Sequence, residues 1–190
     1  LLEPARLWAE RGLEAATRLG HTKFEAVSAL HLGSVDYRQG RPRELASEAL
    51  RSAALLPPGV HLRFCIQEAG FALRRGDREQ VLDLAWRGRR AARSFGFQDT
   101  ITLLDCLEAS QRSRAPWGLV DEGLKMKRPL LRAQALALLA RAGERSAQLA
   151  ESLHEALRGA THLEVRRELL SPRECLAALP QPLLPHEDAR

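Results

Sequence analysis

The sequence predicts an all-α protein built as a stack of antiparallel helix pairs, and three observations lead to this prediction. Paired alanines recur at a spacing of 38 residues, at Ala15-Ala16, Ala53-Ala54 and Ala91-Ala92, and self-similarity at a period of about 20–50 residues is typical of repeat arrays. Apolar and small side chains recur at helical spacing, without strand-like alternation. The Gly and Pro residues that interrupt this spacing leave short breaks, which favour antiparallel neighbours.

The first part of the chain divides into helices that end where the apolar pattern is interrupted. Pro4 suits a helix start, because the N–H group that it lacks would have no intrahelical partner there, and Gly40 suits a helix end. Asp99 or Thr100 is expected to cap the last of these helices. The predicted helices are Pro4–Leu19, Lys23–Gln39, Pro42–Leu56, Val60–Arg75, Asp77–Phe95 and one from Asp99 or Thr100 to Ser113.

The repeat becomes less regular after Arg114. Ser171-Pro172-Arg173-Glu174 is typical of a capping box, in which Ser bonds forward and Glu bonds back to the backbone of the first turn. The predicted elements here are a short segment from Ala115 to about Lys127, and helices Pro129–Gly143, Glu144–Gly159, His162–Leu170 and Ser171–Leu179. We therefore expect a helical repeat array over residues 1–160, capping helices over 161–179 and a proline-rich tail or linker over 180–190.

The clearest repeat unit contains a leucine–glycine pair, an aromatic residue, an inter-helix glycine, a small residue and a closing proline: Leu32-Gly33, Tyr37, Gly40, Ala49 and Pro57. Because of this unit and its weaker copies, the chain over about residues 5–160 resembles divergent tetratricopeptide repeats. The resemblance implies a right-handed superhelical stack of helix pairs. It also implies a concave groove, lined by the first helix of each pair, that binds a protein or peptide.

A second likeness concerns the kind of protein that carries such repeats. The segment Ala15-Ala16-Thr17-Arg18-Leu19-Gly20, followed by the helix with Leu32-Gly33, is similar to the repeats of MalT-like and antibiotic-regulatory-protein-like bacterial transcription regulators. This similarity implies the sensor or coupling segment of a larger transcriptional or signalling regulator. The first helix aligns with the second helix of a repeat, so the chain either lacks upstream repeats or uses this helix as a cap. We expect an excised piece or processed product, able to self-associate through open repeat ends.

The predicted groove carries arginines on one helix face. Arg63, Gln67, Gly70 and Arg74 share that face by their spacing of three and four residues. On the two neighbouring first helices, the positions that face the same way are occupied by Ser34, Tyr37, Arg38, Glu108 and Arg112. Guanidinium groups bind carboxylates bidentately, which favours an acidic or C-terminal peptide. The chain has no Asn and so departs from the family's two-carboxylate clamp, and the alternative interpretation is that these arginines are solvated rim residues.

A nucleic-acid-binding regulator segment is the alternative function. The net charge is +5, and arginines outnumber lysines 26 to 3, although a GC-rich coding sequence would give the same bias. The densest basic cluster is Arg87, Arg89, Arg90 and Arg93. On a helix these side chains span more than half the circumference, whereas a nucleic-acid surface requires basic groups on one face. The pattern therefore favours a solvated helix over a phosphate-binding surface.

The sequence offers no catalytic set, metal motif or cofactor motif, so we expect neither an enzyme nor a cofactor. An accessory domain of an enzyme whose catalytic part lies elsewhere is a third interpretation. The three cysteines, Cys65, Cys106 and Cys175, are widely spaced in apolar helical contexts and are expected to be buried free thiols in a reducing cytoplasm. No apolar run is long enough for a transmembrane helix, so no membrane partner is expected.

Overall fold

A computed structural model places residues 2–38, 58–159, 169–170 and 172–179, and the description below refers to these residues. They form helices joined by turns, and none of them lies in a strand, so the all-α prediction is confirmed for this part of the chain. The helices are α1 (Leu2–Arg18), α2 (Thr22–Arg38), α3 (Pro58–Arg75), α4 (Arg78–Ser94), α5 (Gln98–Arg112), α6 (Leu119–Leu124), α7 (Pro129–Arg141), α8 (Ala147–Gly159) and α9 (Pro172–Leu176).

Two predicted elements fall wholly or largely outside the described residues. The predicted helix Pro42–Leu56, with the repeated Ala53-Ala54 pair, lies there entirely. Of the predicted helix His162–Leu170, only Leu169 and Leu170 are described, and they form a bend. The final helix ends at Leu176 rather than at Leu179, because the chain turns after that residue.

The recurring glycines of the repeat pattern lie at turns between helices. Gly20 follows α1 with φ of 64°, and Gly96 follows α4 with φ of 65°. Side chains other than hydrogen strain this left-handed conformation, so glycine is the residue that permits these reversals. The turns bring α1 against α2 and α4 against α5. The pattern thus marks two αα-hairpin connections.

The N-terminal caps of α4 and α5 differ. Asp77 caps α4 as its N-cap residue, since its Oδ1 accepts a hydrogen bond from the backbone N–H of Gln80 at 3.0 Å. The prediction of a cap at Asp99 or Thr100 is wrong, because the N-cap residue of α5 is Phe97 and no side chain caps it. The Asp99 carboxylate instead accepts a hydrogen bond from the backbone N–H of Arg128 at 3.3 Å. A partner from a later connection has replaced the local cap.

The larger hydrophobic core surrounds α7. Every residue of this helix from Leu130 to Ala140 is buried, except Arg132, and the helix contacts α5, α6, α8 and α9. A helix that is apolar on all sides is stable in water only when neighbours cover it. A smaller cluster joins α2 to α3 through Ala26, Ala29, Leu30 and Phe64. The described helices therefore pack mainly against neighbours in the chain, with α7 at the centre of the C-terminal half.

Candidate peptide-binding surface

The predicted binding face of α3 consists of Arg63, Gln67, Gly70 and Arg74. Arg63 is exposed near the start of the helix and makes no ion pair or side-chain hydrogen bond with another described residue. Gln67 is half-buried and Gly70 is buried. Arg74 lies at the last turn and is held by the C-terminal segment. The face therefore has one exposed guanidinium and one that already binds a carboxylate.

Arg74 forms a bidentate ion pair with Glu174 of α9. Its Nε donates to Oε1 at 2.9 Å and its Nη2 donates to Oε2 at 2.8 Å. This is the bidentate geometry in which a guanidinium binds a carboxylate most strongly. The sequence predicted Glu174 as the back-bonding member of a capping box. Its carboxylate binds Arg74, and the capping box stays a prediction because Ser171 lies outside the described residues.

The backbone of Leu169 is held between α3 and α7 by hydrogen bonds at both of its polar groups. Its carbonyl oxygen accepts from Arg74 Nη2 at 3.2 Å, and its N–H donates to Gln134 Oε1 of α7 at 3.2 Å. A Cβ at Gly70 would approach the Leu169 carbonyl oxygen to 3.0 Å, so the absence of a side chain there permits the contact. The Leu169 and Leu170 side chains are fully buried. A peptide segment of the chain thus occupies the C-terminal end of the α3 face.

We predict a measurable coupling energy between Arg74 and Glu174. Their side chains are 23% and 29% exposed, so solvent screens the pair less than a surface pair. A double-mutant cycle of Arg74→Ala and Glu174→Ala, followed by urea unfolding, should give a coupling of about 1–2 kcal/mol. The control is the pair Arg87 and Asp83, which are 48% and 47% exposed and should couple by about 0.3–0.5 kcal/mol. Equal couplings would show that the Arg74 pair behaves as a surface pair.

The two groove residues predicted on α5, Glu108 and Arg112, are paired with each other, and Glu108 is also paired with Arg89. Glu108 Oε1 lies 2.5 Å from Arg112 Nη2, and Glu108 Oε2 lies 2.5 Å from Arg89 Nη2 of α4. Arg89 also contacts Asp105, with Nη1 2.6 Å from Oδ1. Burial disfavours the charged form of Arg89, but the hydrogen bond and charge of Asp105 and the charge of Glu108 outweigh burial, so the pKa of this guanidinium is raised. These residues form an ionic network between α4 and α5 and leave no unpaired carboxylate at Glu108.

The remaining predicted groove residues are Ser34, Tyr37 and Arg38. Their backbone belongs to the last turns of α2, and their side chains lie outside the described part of the structure.

The arginines of the alternative nucleic-acid site have different surroundings. Arg89 belongs to the network with Asp105 and Glu108. Arg87 Nε lies 2.9 Å from an Asp83 oxygen, and the Arg90 guanidinium lies over the Trp86 ring, 4.9 Å from its centroid. Arg93 is exposed. Carboxylates thus neutralise two of the four guanidinium groups.

Sequence reasoning missed several exposed aromatic side chains. Trp8, Phe24, Trp86 and Trp117 are all exposed, and Trp117 is fully so. Residues of this size are usually at least partly buried. The signal for Trp117 was its position between Pro116 and Gly118, since such residues favour a surface loop. The other three lie at regular helical positions, where the sequence gives no comparable signal.

The cysteines are buried free thiols, as predicted. Burial raises the pKa of the Cys65 thiol to about 12 and also raises the pKa of Cys106. Because the thiolate is the reactive form, such thiols are poor nucleophiles near neutral pH. Among the described residues, no cluster of three or more His, Cys, Asp or Glu side chains could hold a metal ion.

Within the described ranges, no helix has the length and apolar character that crossing a membrane requires. Comparisons of the chain with models of protein families, with curated proteins and with solved structures give no match.

Proposed function

We propose that this chain is a protein- or peptide-binding helical repeat scaffold that acts as the sensor or coupling segment of a larger bacterial transcriptional or signalling regulator. In this proposal the αα-hairpins stack as a right-handed, tetratricopeptide-like solenoid, and the face of α3 forms part of the binding groove. Its partner is an extended or helical peptide that carries a carboxylate.

One observation supports this proposal more than any other: the α3 face already holds a peptide segment of its own chain. On α3, Arg74 binds a backbone carbonyl of the segment and holds its glutamate in a guanidinium fork, and Gln134 of the neighbouring α7 accepts a backbone N–H of the same segment. Extended peptides are recognised through main-chain hydrogen bonds for affinity and side-chain contacts for specificity. The intramolecular contact therefore uses the chemistry expected for a peptide ligand.

The part of the face that an external peptide would use is its N-terminal end. Arg63 is exposed there, two helical turns or more from the occupied Arg74. Gln67 lies between them on the same face. A carboxylate bound at Arg63 would not need to displace Glu174. We therefore place the anchor of the external ligand at Arg63.

The nucleic-acid alternative is less well supported. Phosphate binding depends on releasing counterions from cationic side chains that are free to contact the backbone. Asp83 pairs with Arg87, and Asp105 and Glu108 pair with Arg89. A phosphate would have to compete with carboxylates already in place, which lowers the gain from binding.

The test is a selection of peptides on the full chain, followed by fluorescence anisotropy with the enriched sequences. We predict that peptides with acidic or C-terminal carboxylates are enriched. Arg63→Glu should weaken their binding by about tenfold or more, because a charge-assisted contact is replaced by repulsion. Arg145→Glu, an exposed arginine before α8, is the control for net charge and should change affinity little.

A filter-binding titration with duplex DNA tests the nucleic-acid alternative. Tight, salt-sensitive DNA binding that is lost in the double variant Arg89→Glu and Arg90→Glu would favour nucleic acid. Selected peptides without acidic groups, or equal effects of Arg63→Glu and Arg145→Glu, would contradict the proposed anchor.

A further inference from the structure

We propose a second binding site, for the phosphate monoester of a small organic molecule, in a cleft beside the start of α5. The cleft has a volume of about 570 Å³ and lies between the α4–α5 turn and the α6–α7 connection. This site does not involve the α3 face and does not depend on the proposed peptide-binding function.

The cleft is basic on one side. Lys125, Lys127 and Arg128 line it from the α6–α7 connection and are exposed. Buried Met126 anchors the connection between the two lysines. None of the three cationic side chains forms an ion pair within the described part of the chain. The connection thus presents to one cavity three cationic groups that form no ion pair with any described carboxylate.

Two carboxylates also line the cleft and reduce its positive charge. Asp99 accepts the backbone N–H of Arg128 at 3.3 Å, which holds the basic connection against α5. Glu122 is exposed at the other edge. Three cations against two carboxylates leave a positive balance, to which the positive end of the α5 dipole adds.

Two buried threonines carry the argument from charge to a ligand. Thr100 and Thr102 line the cleft, yet are only 4% and 3% exposed. Neither hydroxyl forms a hydrogen bond with another described residue. Both hydroxyl groups can therefore still donate and accept hydrogen bonds with a molecule that enters the cleft. A ligand oxygen in the cleft would give these hydroxyl groups an acceptor.

The start of α5 strengthens the same interpretation. Its N-cap residue is Phe97, which provides no side-chain cap, while the N–H groups of Gln98 and Thr100 already donate to the carbonyl oxygens of Gly96 and Phe97. The contribution of this helix end to anion binding is therefore its dipole rather than a set of free N–H groups. The helix has 15 residues, so its dipole is fully developed.

The size and lining of the cleft favour an organic phosphate over the bare ion. Small-molecule sites typically occupy about 300–1,000 Å³, which exceeds the volume of a phosphate. The Phe97 ring lines the cleft and is stacked on Phe95, with ring centroids 5.3 Å apart. A flat apolar surface beside an anion site suits a ligand with a planar group next to its phosphate.

Isothermal titration calorimetry with phenyl phosphate, inorganic phosphate and phenol tests this site on the full chain. We expect phenyl phosphate to bind with a dissociation constant of about 1 mM or lower. Inorganic phosphate should bind more weakly, and phenol should not bind measurably. Lack of phenyl phosphate binding would overturn the proposal, whatever the result of the peptide selection at Arg63.

The contribution of the hydroxyl groups to phosphate binding is tested by a substitution at Thr100. Thr100→Val should weaken phenyl phosphate binding by about tenfold, since it removes a hydrogen bond to a charged group. It should not lower the melting temperature, because the hydroxyl has no partner in the folded chain. Thr17→Val, which removes an exposed hydroxyl that donates to Glu25, is the control and should leave affinity unchanged. A fall in melting temperature with unchanged affinity would show that Thr100 is structural only.

The cationic groups are tested with charge-matched variants. Lys125→Ala with Lys127→Ala should abolish measurable binding of phenyl phosphate. Arg141→Ala with Arg145→Ala removes the same charge from exposed sites outside the cleft and should have little effect. Equal losses in the two double variants would show non-specific attraction to a basic chain and would overturn the site.

Discussion

Ala92→Arg is expected to lower the free energy of unfolding by about 3 kcal/mol or more. Ala92 is fully buried in α4 and belongs to the larger hydrophobic core. The larger side chain would overpack this site, and its charge would have no partner there. Urea unfolding followed by circular dichroism measures the change, provided that both proteins unfold in a single transition.

Arg93→Ala is the matched control for Ala92→Arg. Arg93 is the next residue of α4 and is exposed, so its truncation should change stability by less than about 0.5 kcal/mol. If Ala92→Arg left the unfolding midpoint unchanged, the packing of α4 described above would be wrong.

The second large effect is expected at the centre of the core. Leu136→Ala in α7 should cost about 2–5 kcal/mol, because it removes buried methyl groups and leaves a cavity. Leu136 is fully buried and lies in α7, which packs against α5, α6, α8 and α9. Differential scanning calorimetry should show a large fall in melting temperature.

Leu19→Ala is the control for the loss of a leucine side chain. Leu19 is 78% exposed in the turn after α1, so the same chemical change should cost little there. Similar losses at the two positions would contradict the placement of α7 at the centre of the core.

Features of the fold that depend on local sequence were predicted correctly. Gly20 and Gly96 lie at turns because glycine alone accepts their backbone conformation without strain. Asp77, predicted as the start of a helix, caps α4 because the cap needs only the N–H of Gln80, three residues later. Asp99 has the same local signal, but its carboxylate is used by Arg128. Competition of this kind depends on distant residues and is not visible in a local pattern.

In the candidate sites too, features set by local sequence were predicted, and features that depend on distant residues were not. Helical spacing placed Arg63, Gln67 and Arg74 on one face, and the structure gives that whole segment as one helix. The spacing did not indicate that Arg74 would be occupied, because Glu174 lies 100 residues away in the chain. Nor did it indicate the cleft at Thr100, because the residues that line this cleft come from two separate segments, the α4–α5 turn with the start of α5 and the α6–α7 connection.

The link between Arg74 and Glu174 also affects the order in which the chain folds. Contacts between neighbouring helices are local and form rapidly, whereas contacts of large sequence separation form slowly. Glu174 lies 100 positions after Arg74 in the chain, so α3 and α4 can pair before α9 is synthesised. Closing so long a loop costs only about 0.6 kcal/mol more than closing one of half the length. We therefore expect the last helix to dock late in folding.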